Sequence, residues 1–105
     1  MPKPTPGAAP IHPGEILLEE FLNNYDPPVS QVDAAERMHM PKVRLNQLIR
    51  GNRGVTPDTA LRLADLTGTS PEFWMNLQVR YDLWHAQQAR VARHDAKIRP
   101  LAKAS

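Results

Sequence analysis

Apolar residues recur at helical spacing along most of the chain, and no stretch of useful length alternates as a strand would. Leu17, Leu18, Phe21, Leu22 and Tyr25 fall on one arc at about 100° per residue, with Glu19, Glu20 and Asn23 turned away. This predicts a first amphipathic helix that starts at Pro13 and ends before Pro27 and Pro28. Ser30 is an N-cap for a second helix over about 31–38, with Val29 and Ala34 spaced as a hydrophobic staple. Its inward residues, Ala34 and Ala35, are small enough to let another helix come close. His39 and Met40 make a short break, Pro41 opens a third helix to Arg50, and Gly51 stops it. The pairs Thr56-Pro57 and Ser70-Pro71 repeat the cap-then-proline signal. They start a fourth helix that Gly68 ends and a fifth that can reach Arg93. The expected fold is all-α with five helices.

Domain organisation follows from the same pattern. Residues 1–12, with four prolines before Ile11, form an extended arm; residues 13–92 form one folded unit; residues 93–105 form a basic tail. The chain has 105 residues and no cysteine, which removes a disulfide framework, a thiolate zinc site and a cysteine nucleophile. No apolar run approaches the roughly 18–20 residues that span a bilayer. The first fifteen residues lack the apolar core of a signal peptide, so a cytoplasmic protein without membrane contact is expected.

The net charge of +2 hides a sharp distribution. Residues 1–36 carry one base and six acids, whereas residues 37–57 carry Arg37, Lys42, Arg44, Arg50 and Arg53 and no acid. Such a basic block is the footprint of a nucleic-acid contact. On a wheel of the third helix, Leu45, Leu48 and Ile49 share the inward arc. Val43, Arg44, Asn46, Gln47 and Arg50 fill the opposite arc, with Lys42 at its edge. These side chains match the groups on base edges: guanidinium and ammonium for guanine, amides for adenine, a small apolar group for the thymine methyl. Two short helices with an acid-free second one fit a helix-turn-helix motif.

The fifth helix has two apolar faces. Phe73, Trp74, Leu77, Tyr81 and Trp84 form an aromatic stripe, while Met75, Val79, Leu83 and Ala86 form a second arc. Asn76, Gln78, Arg80 and Asp82 separate them. Two faces call for two burial partners. Self-pairing through the second arc would set two recognition helices about 34 Å apart, one DNA turn.

The residues Ser30-Gln31, Ala34-Ala35, Met38, Met40-Pro41, Leu45, Leu48 and Gly51 have the spacing of the phage-repressor-like helix-turn-helix family. His12–Leu17, Arg53–Thr56, Thr59–Ala64 and above all Gly68–Gln78 resemble HigA-type antitoxins of bacterial addiction modules, a likeness that spans about residues 11–90. The resemblance implies a dimer that represses its own operon by binding operator DNA. It also implies binding to a HigB-type toxin, a messenger-RNA endonuclease. It assigns base reading to Lys42, Val43, Arg44, Asn46 and Gln47 and phosphate contact to Gln31, Arg50 and Arg53. The family often has glycine where this chain has His39, so a slightly altered turn is expected there. A transcriptional regulator without a toxin and a pure protein-interaction module are the competing readings.

The remaining candidates have plain structural roles. His12, His39, His85 and His94 lack a ligand-type partner at helical spacing, so no metal or other cofactor is expected. Ser30, Thr56 and Ser70 cap helices, and nothing in the chain assembles an enzyme's catalytic group. Arg62 has Asp58 and Asp65 within pairing distance on its own helix. The candidate toxin-binding surfaces are the N-terminal arm, the acidic first helix and the outer face of the fifth helix, with the N-terminal third favoured because its acidic balance complements a basic nuclease.

Overall fold

The structure is a computed structural model that describes residues 8–102. Residues 1–7 of the proposed arm and 103–105 of the tail, Lys103 among them, lie outside the described residues. Helices α1 (Pro13–Ile16), α2 (Gln31–Arg37), α3 (Lys42–Ile49), α4 (Pro57–Thr67) and α5 (Pro71–Arg93) carry the fold, with no strand among the described residues. The all-α architecture is the one expected.

Short-range chemistry sets most boundaries. The hydroxyls of Ser30, Thr56 and Ser70 each accept a backbone N–H three residues on, from Asp33, Thr59 and Phe73. Gly51 and Gly68 end α3 and α4 in the left-handed region. At the end of α3, the Gly51 N–H donates to the Leu48 carbonyl and the Asn52 N–H to the Gln47 carbonyl. That double closure is a Schellman motif, which satisfies carbonyls the helix leaves open. Pro41 stands one residue earlier than expected: it is the N-cap, with extended backbone, and Lys42 is the first helical residue.

The first helix departs from a regular spiral. After one α-helical turn the chain runs without a break into a π-helical segment, Leu17–Phe21, and a 3-10 turn, Leu22–Asn24. The Leu22 N–H donates to both Leu17 and Leu18 carbonyls. This wider turn brings Leu17 and Leu22, five residues apart, into full burial together. Tyr25, expected on the buried arc, is instead 41% exposed, because the chain is already extended there.

Leu17, Leu22, Leu45, Leu48, Leu63 and Trp74 are fully buried and form the centre of the core. The Trp74 indole stacks near Phe21 and Phe73 and donates from Nε1 to the Thr69 hydroxyl at 2.7 Å. Helix α5 then runs past the core. Its aromatic stripe lies inward, with Trp74 buried and Phe73, Leu77, Tyr81 and Trp84 half-buried. Of its second arc, Val79, Leu83 and Ala86 face out, Val79 and Leu83 being 47% and 64% exposed. Met75, expected on the same face, is half-buried and packs against the core, because it lies in the first turns of α5 where the core still surrounds the helix. Gln78, read from the sequence as a spacer between the faces, is buried: Oε1 accepts from the Val55 N–H at 2.7 Å and Nε2 donates to Asp82. No helix among the described residues is long and apolar enough to cross a membrane.

The α2–α3 turn is a second Schellman motif. The His39 N–H donates to the Glu36 carbonyl and the Met40 N–H to the Ala35 carbonyl, with His39 at φ 54°. A β-carbon in this region costs about 1 kcal/mol that glycine does not incur. The turn therefore keeps its shape, and histidine carries the strain. His39→Gly is expected to stabilise the domain by about 0.5–1 kcal/mol, raising the melting temperature by roughly 2–8 °C. A thermal melt that falls instead would mean that the imidazole makes a compensating contact.

Candidate nucleic-acid interface

The site is built on α3, and two neighbours fix that helix. Arg62 of α4 donates from Nη1 to the Met38 and His39 carbonyls at 2.7 and 3.3 Å, which clips the α2–α3 turn to α4. Its Nε pairs with Asp58 at 3.0 Å, one of the two carboxylates the spacing offered. At the other end, Gly14 of α1 lies directly against the Leu48–Ile49 backbone, so close that a β-carbon there would overlap the Leu48 carbonyl.

His12 holds this corner in a role the sequence reading missed. Its Nδ1 accepts the Gly14 N–H at 2.9 Å, so it is the N-cap of α1, and its ring meets Tyr81 of α5 edge-on at 4.8 Å. A histidine immediately before a helix-opening proline was the available signal. Burial pushes the His12 pKa down, opposed by Asp82, the Arg53 backbone and Glu15. Neutral Nδ1 accepts the capping bond; protonated Nδ1 cannot. The unfolded chain thus binds a proton more readily than the folded one. The stabilisation is complete above the unfolded value of about 6.5 and is lost as pH falls from there through the lower folded value. Between pH 7.5 and 5 the melting temperature is expected to fall more steeply for the native chain than for His12→Asn, which keeps a capping oxygen. Parallel curves would remove His12 as the cause.

The outward surface of α3 carries no acid. Lys42 and Val43 project freely, Val43 being 69% exposed. Two of the base-reading candidates are each tied to a phosphate candidate. Asn46 Nδ2 donates to Gln31 Oε1 at 3.1 Å, and Arg53 Nε donates to Gln47 Oε1 at 3.1 Å. These bonds narrow the rotamers of four side chains before any ligand arrives. Lys42, Val43, Asn46, Gln47 and Arg50 line one shallow depression together with Asn52. Asn52 was not singled out from the sequence, because it follows the helix stop; the Schellman closure turns it back to the same face.

Arg44 stands apart from this group. Its Nη2 donates to Thr59 Oγ1 at 2.9 Å and lies 3.6 Å from Asp58, both on α4, while its Nε is buried with no hydrogen-bond partner. The structure thus brings Lys42, Val43, Asn46, Gln47 and Arg50 to one face, sets Gln31 and Arg53 at its borders, and turns Arg44 toward α4. Among the described residues no group of three or more His, Asp or Glu is placed to hold a metal ion.

An eight-residue helix with an amide- and cation-bearing face, held at both ends by neighbouring helices, is the geometry of a groove reader. Residues 29–74 match the helix-turn-helix family HTH_3. The structure of a Pseudomonas aeruginosa antitoxin HigA with the higBA promoter superposes with a TM-score of 0.78. It is 40% identical and covers 89% of this chain and 99% of its own. Antitoxin HigA-1 of Vibrio cholerae is 36% identical over 75 residues, 71% of this chain and 69% of its own length. The chain belongs to the HigA-type antitoxin family of helix-turn-helix proteins. Another relative, the Escherichia coli K12 protein named uncharacterized HTH-type transcriptional regulator YbaQ, is 38% identical over 78 residues, 74% of this chain and 67% of its own. The five-helix HigA fold accounts for the capped α2–α3 pair and for the long α5 that leaves the core.

Proposed function

We propose that this HigA-family chain is the antitoxin of a two-gene module. As a dimer it binds operator DNA, represses its own operon, and neutralises a HigB-type messenger-RNA endonuclease. The observation that carries the DNA half is the acid-free face of α3 with Asn46 and Gln47 already held by Gln31 and Arg53. A relative that is 40% identical over nearly its whole length is described with its promoter bound, which supports the same use of the face here. Lys42, Val43, Asn46 and Gln47 read base edges in the major groove, and Gln31, Arg50 and Arg53 bind phosphates. The dimer buries Val79, Leu83 and Ala86, the outward part of the second arc of α5, against a second copy, with the core-packed Met75 at the edge of that face. The apolar exposure of Val79 and Leu83 supports this.

The second reading, a regulator without a toxin, draws on the likeness to the Escherichia coli transcriptional regulator. One experiment separates them. The tagged protein is recovered from its native host after nuclease treatment, and its companions are identified by mass spectrometry. The antitoxin reading expects one stoichiometric basic protein of about the same size; recovery alone, with operator binding intact, favours the regulator. In parallel, Leu83→Glu is expected to halve the sedimenting mass without loss of helical content, since it puts a charge at the centre of the paired arc. An unchanged mass would move the dimer interface elsewhere.

A further inference from the structure

The acid-free block of residues 37–57 ends at Asp58, and Asp58 makes the one ion pair that α3 has among the described residues. Three observations meet at this point. Arg44 of α3 reaches sideways to α4, with Thr59 Oγ1 at 2.9 Å and the Asp58 carboxylate at 3.6 Å. Its Nε is a buried donor with no acceptor, so the resting position leaves one of its hydrogen bonds unmade. Asp58 itself stays anchored if Arg44 leaves, because Arg62 holds it at 3.0 Å and is in turn fixed on the Met38 and His39 carbonyls.

Arg44 lies only about 60° round the helix from Gln47, three residues on, which is within the sweep of an arginine side chain. We propose that Asp58 is a specificity-determining residue for DNA binding: it retains Arg44 on α4, so that Arg44 enters the groove only on a duplex whose fit offsets the loss of that contact. This rests on the DNA-binding function proposed above. On a well-fitted site Arg44 gains an acceptor for Nε and exchanges the exposed pair with Asp58 for guanine or phosphate oxygens. On a poorly fitted duplex it stays with Asp58 and Thr59 and adds nothing to the contact with DNA. Arg62 and Arg44 both hold the Asp58 carboxyl below its ordinary pKa, so the charge is present at any pH at which the protein would meet DNA.

The test is fluorescence anisotropy of the full chain on two labelled duplexes of equal length, the sequence upstream of its own gene and a mixed sequence. In Asp58→Asn the mixed duplex is expected to bind about fivefold more tightly and the upstream duplex to change less, so discrimination falls. Arg44→Ala is expected to weaken the upstream duplex more than the mixed one, and in Arg44→Ala/Asp58→Asn the gain on mixed DNA disappears. A gain that persists without Arg44 overturns the proposal, since Asp58 then acts only through its bulk charge. So does an unchanged upstream affinity in Arg44→Ala, a variant that leaves Asp58 paired with Arg62. A native chain that binds neither duplex removes the DNA-binding function itself; native binding with unaltered discrimination in Asp58→Asn removes the role of Asp58 alone.

Discussion

Gly14→Ala is expected to destabilise the domain by about 3 kcal/mol or more, at or beyond the upper end for overpacked sites. The reason is what the added methyl would meet. Its nearest neighbours are the Leu48 carbonyl and the Ile49 Cα, at separations no carbon tolerates, and both are backbone atoms at the C-terminal end of α3. A side chain could rotate away, but a helix terminus cannot without opening its Schellman closure. The domain has a total stability of roughly 5–15 kcal/mol, so this one methyl removes a large share of it. A fall of roughly 10–20 °C in melting temperature follows. Gly54→Ala is the contrasting substitution. There the new methyl meets only the Gln78 amide at 3.1–3.2 Å, at the end of a side chain that can shift, so a far smaller loss is expected. Similar melts for the two variants would show that α1 can slide along α3 freely. The consequence reaches function, because the same contact sets where the C-terminal half of α3 lies. Partly folded Gly14→Ala should lose DNA binding together with its cooperative transition.

The caps and stops of this fold were legible because each is a local device. Ser30, Thr56, Ser70, Gly51 and Gly68 act within three or four residues of themselves, and the residue types alone state the chemistry. The left-handed position of His39 was legible for the same reason, but the slightly altered turn expected there is not seen: the closure is a regular Schellman motif, and the side chain bears the strain. The two faces of α5 were legible because a 23-residue helix holds its register, apart from Met75, which the core draws in. Errors came where an unseen partner or a changed spiral decided. The π-helical segment at Leu17–Phe21 and the turn after it break the uniform angle on which a helical wheel depends, so Leu22 stays inward as expected while Tyr25 turns outward. Gln78 is buried because Val55, 23 positions earlier, offers it an N–H. Arg44 was placed on the outward arc by its Cα angle, but a long side chain follows its partners, here Thr59 and Asp58 on another helix. The residue types on the outward face of α3 were thus readable, whereas which of them are free, paired or held aside depends on contacts six to 15 residues away along the chain.

That distinction sets the expected result for the reading face. Asn46→Ala and Gln47→Ala each remove one amide, and each is expected to cost about 1–3 kcal/mol per half-site against the proper operator. In a dimer both half-sites lose the group, so either change should weaken operator binding by roughly 30-fold or more. Mixed-sequence duplex should be affected far less, because amides read bases and contribute little to charge. Gln47→Ala has a second effect that Asn46→Ala lacks. It deprives Arg53 of the oxygen at 3.1 Å, and a freed guanidinium can search for phosphates. Asn46→Ala instead releases Gln31, which is neutral, so it has no such rebound. The salt response separates the two kinds of contact. Some three or four phosphate contacts per subunit would give a slope of log K against log salt near −6 for the proposed dimer. Asn46→Ala should keep that slope while losing affinity, whereas Arg53→Ala should flatten it by about 2 and weaken all sequences alike. If Asn46→Ala flattened the slope and spared discrimination, the amide would be holding the backbone, and base reading would pass to Lys42 and Val43 at the start of the helix.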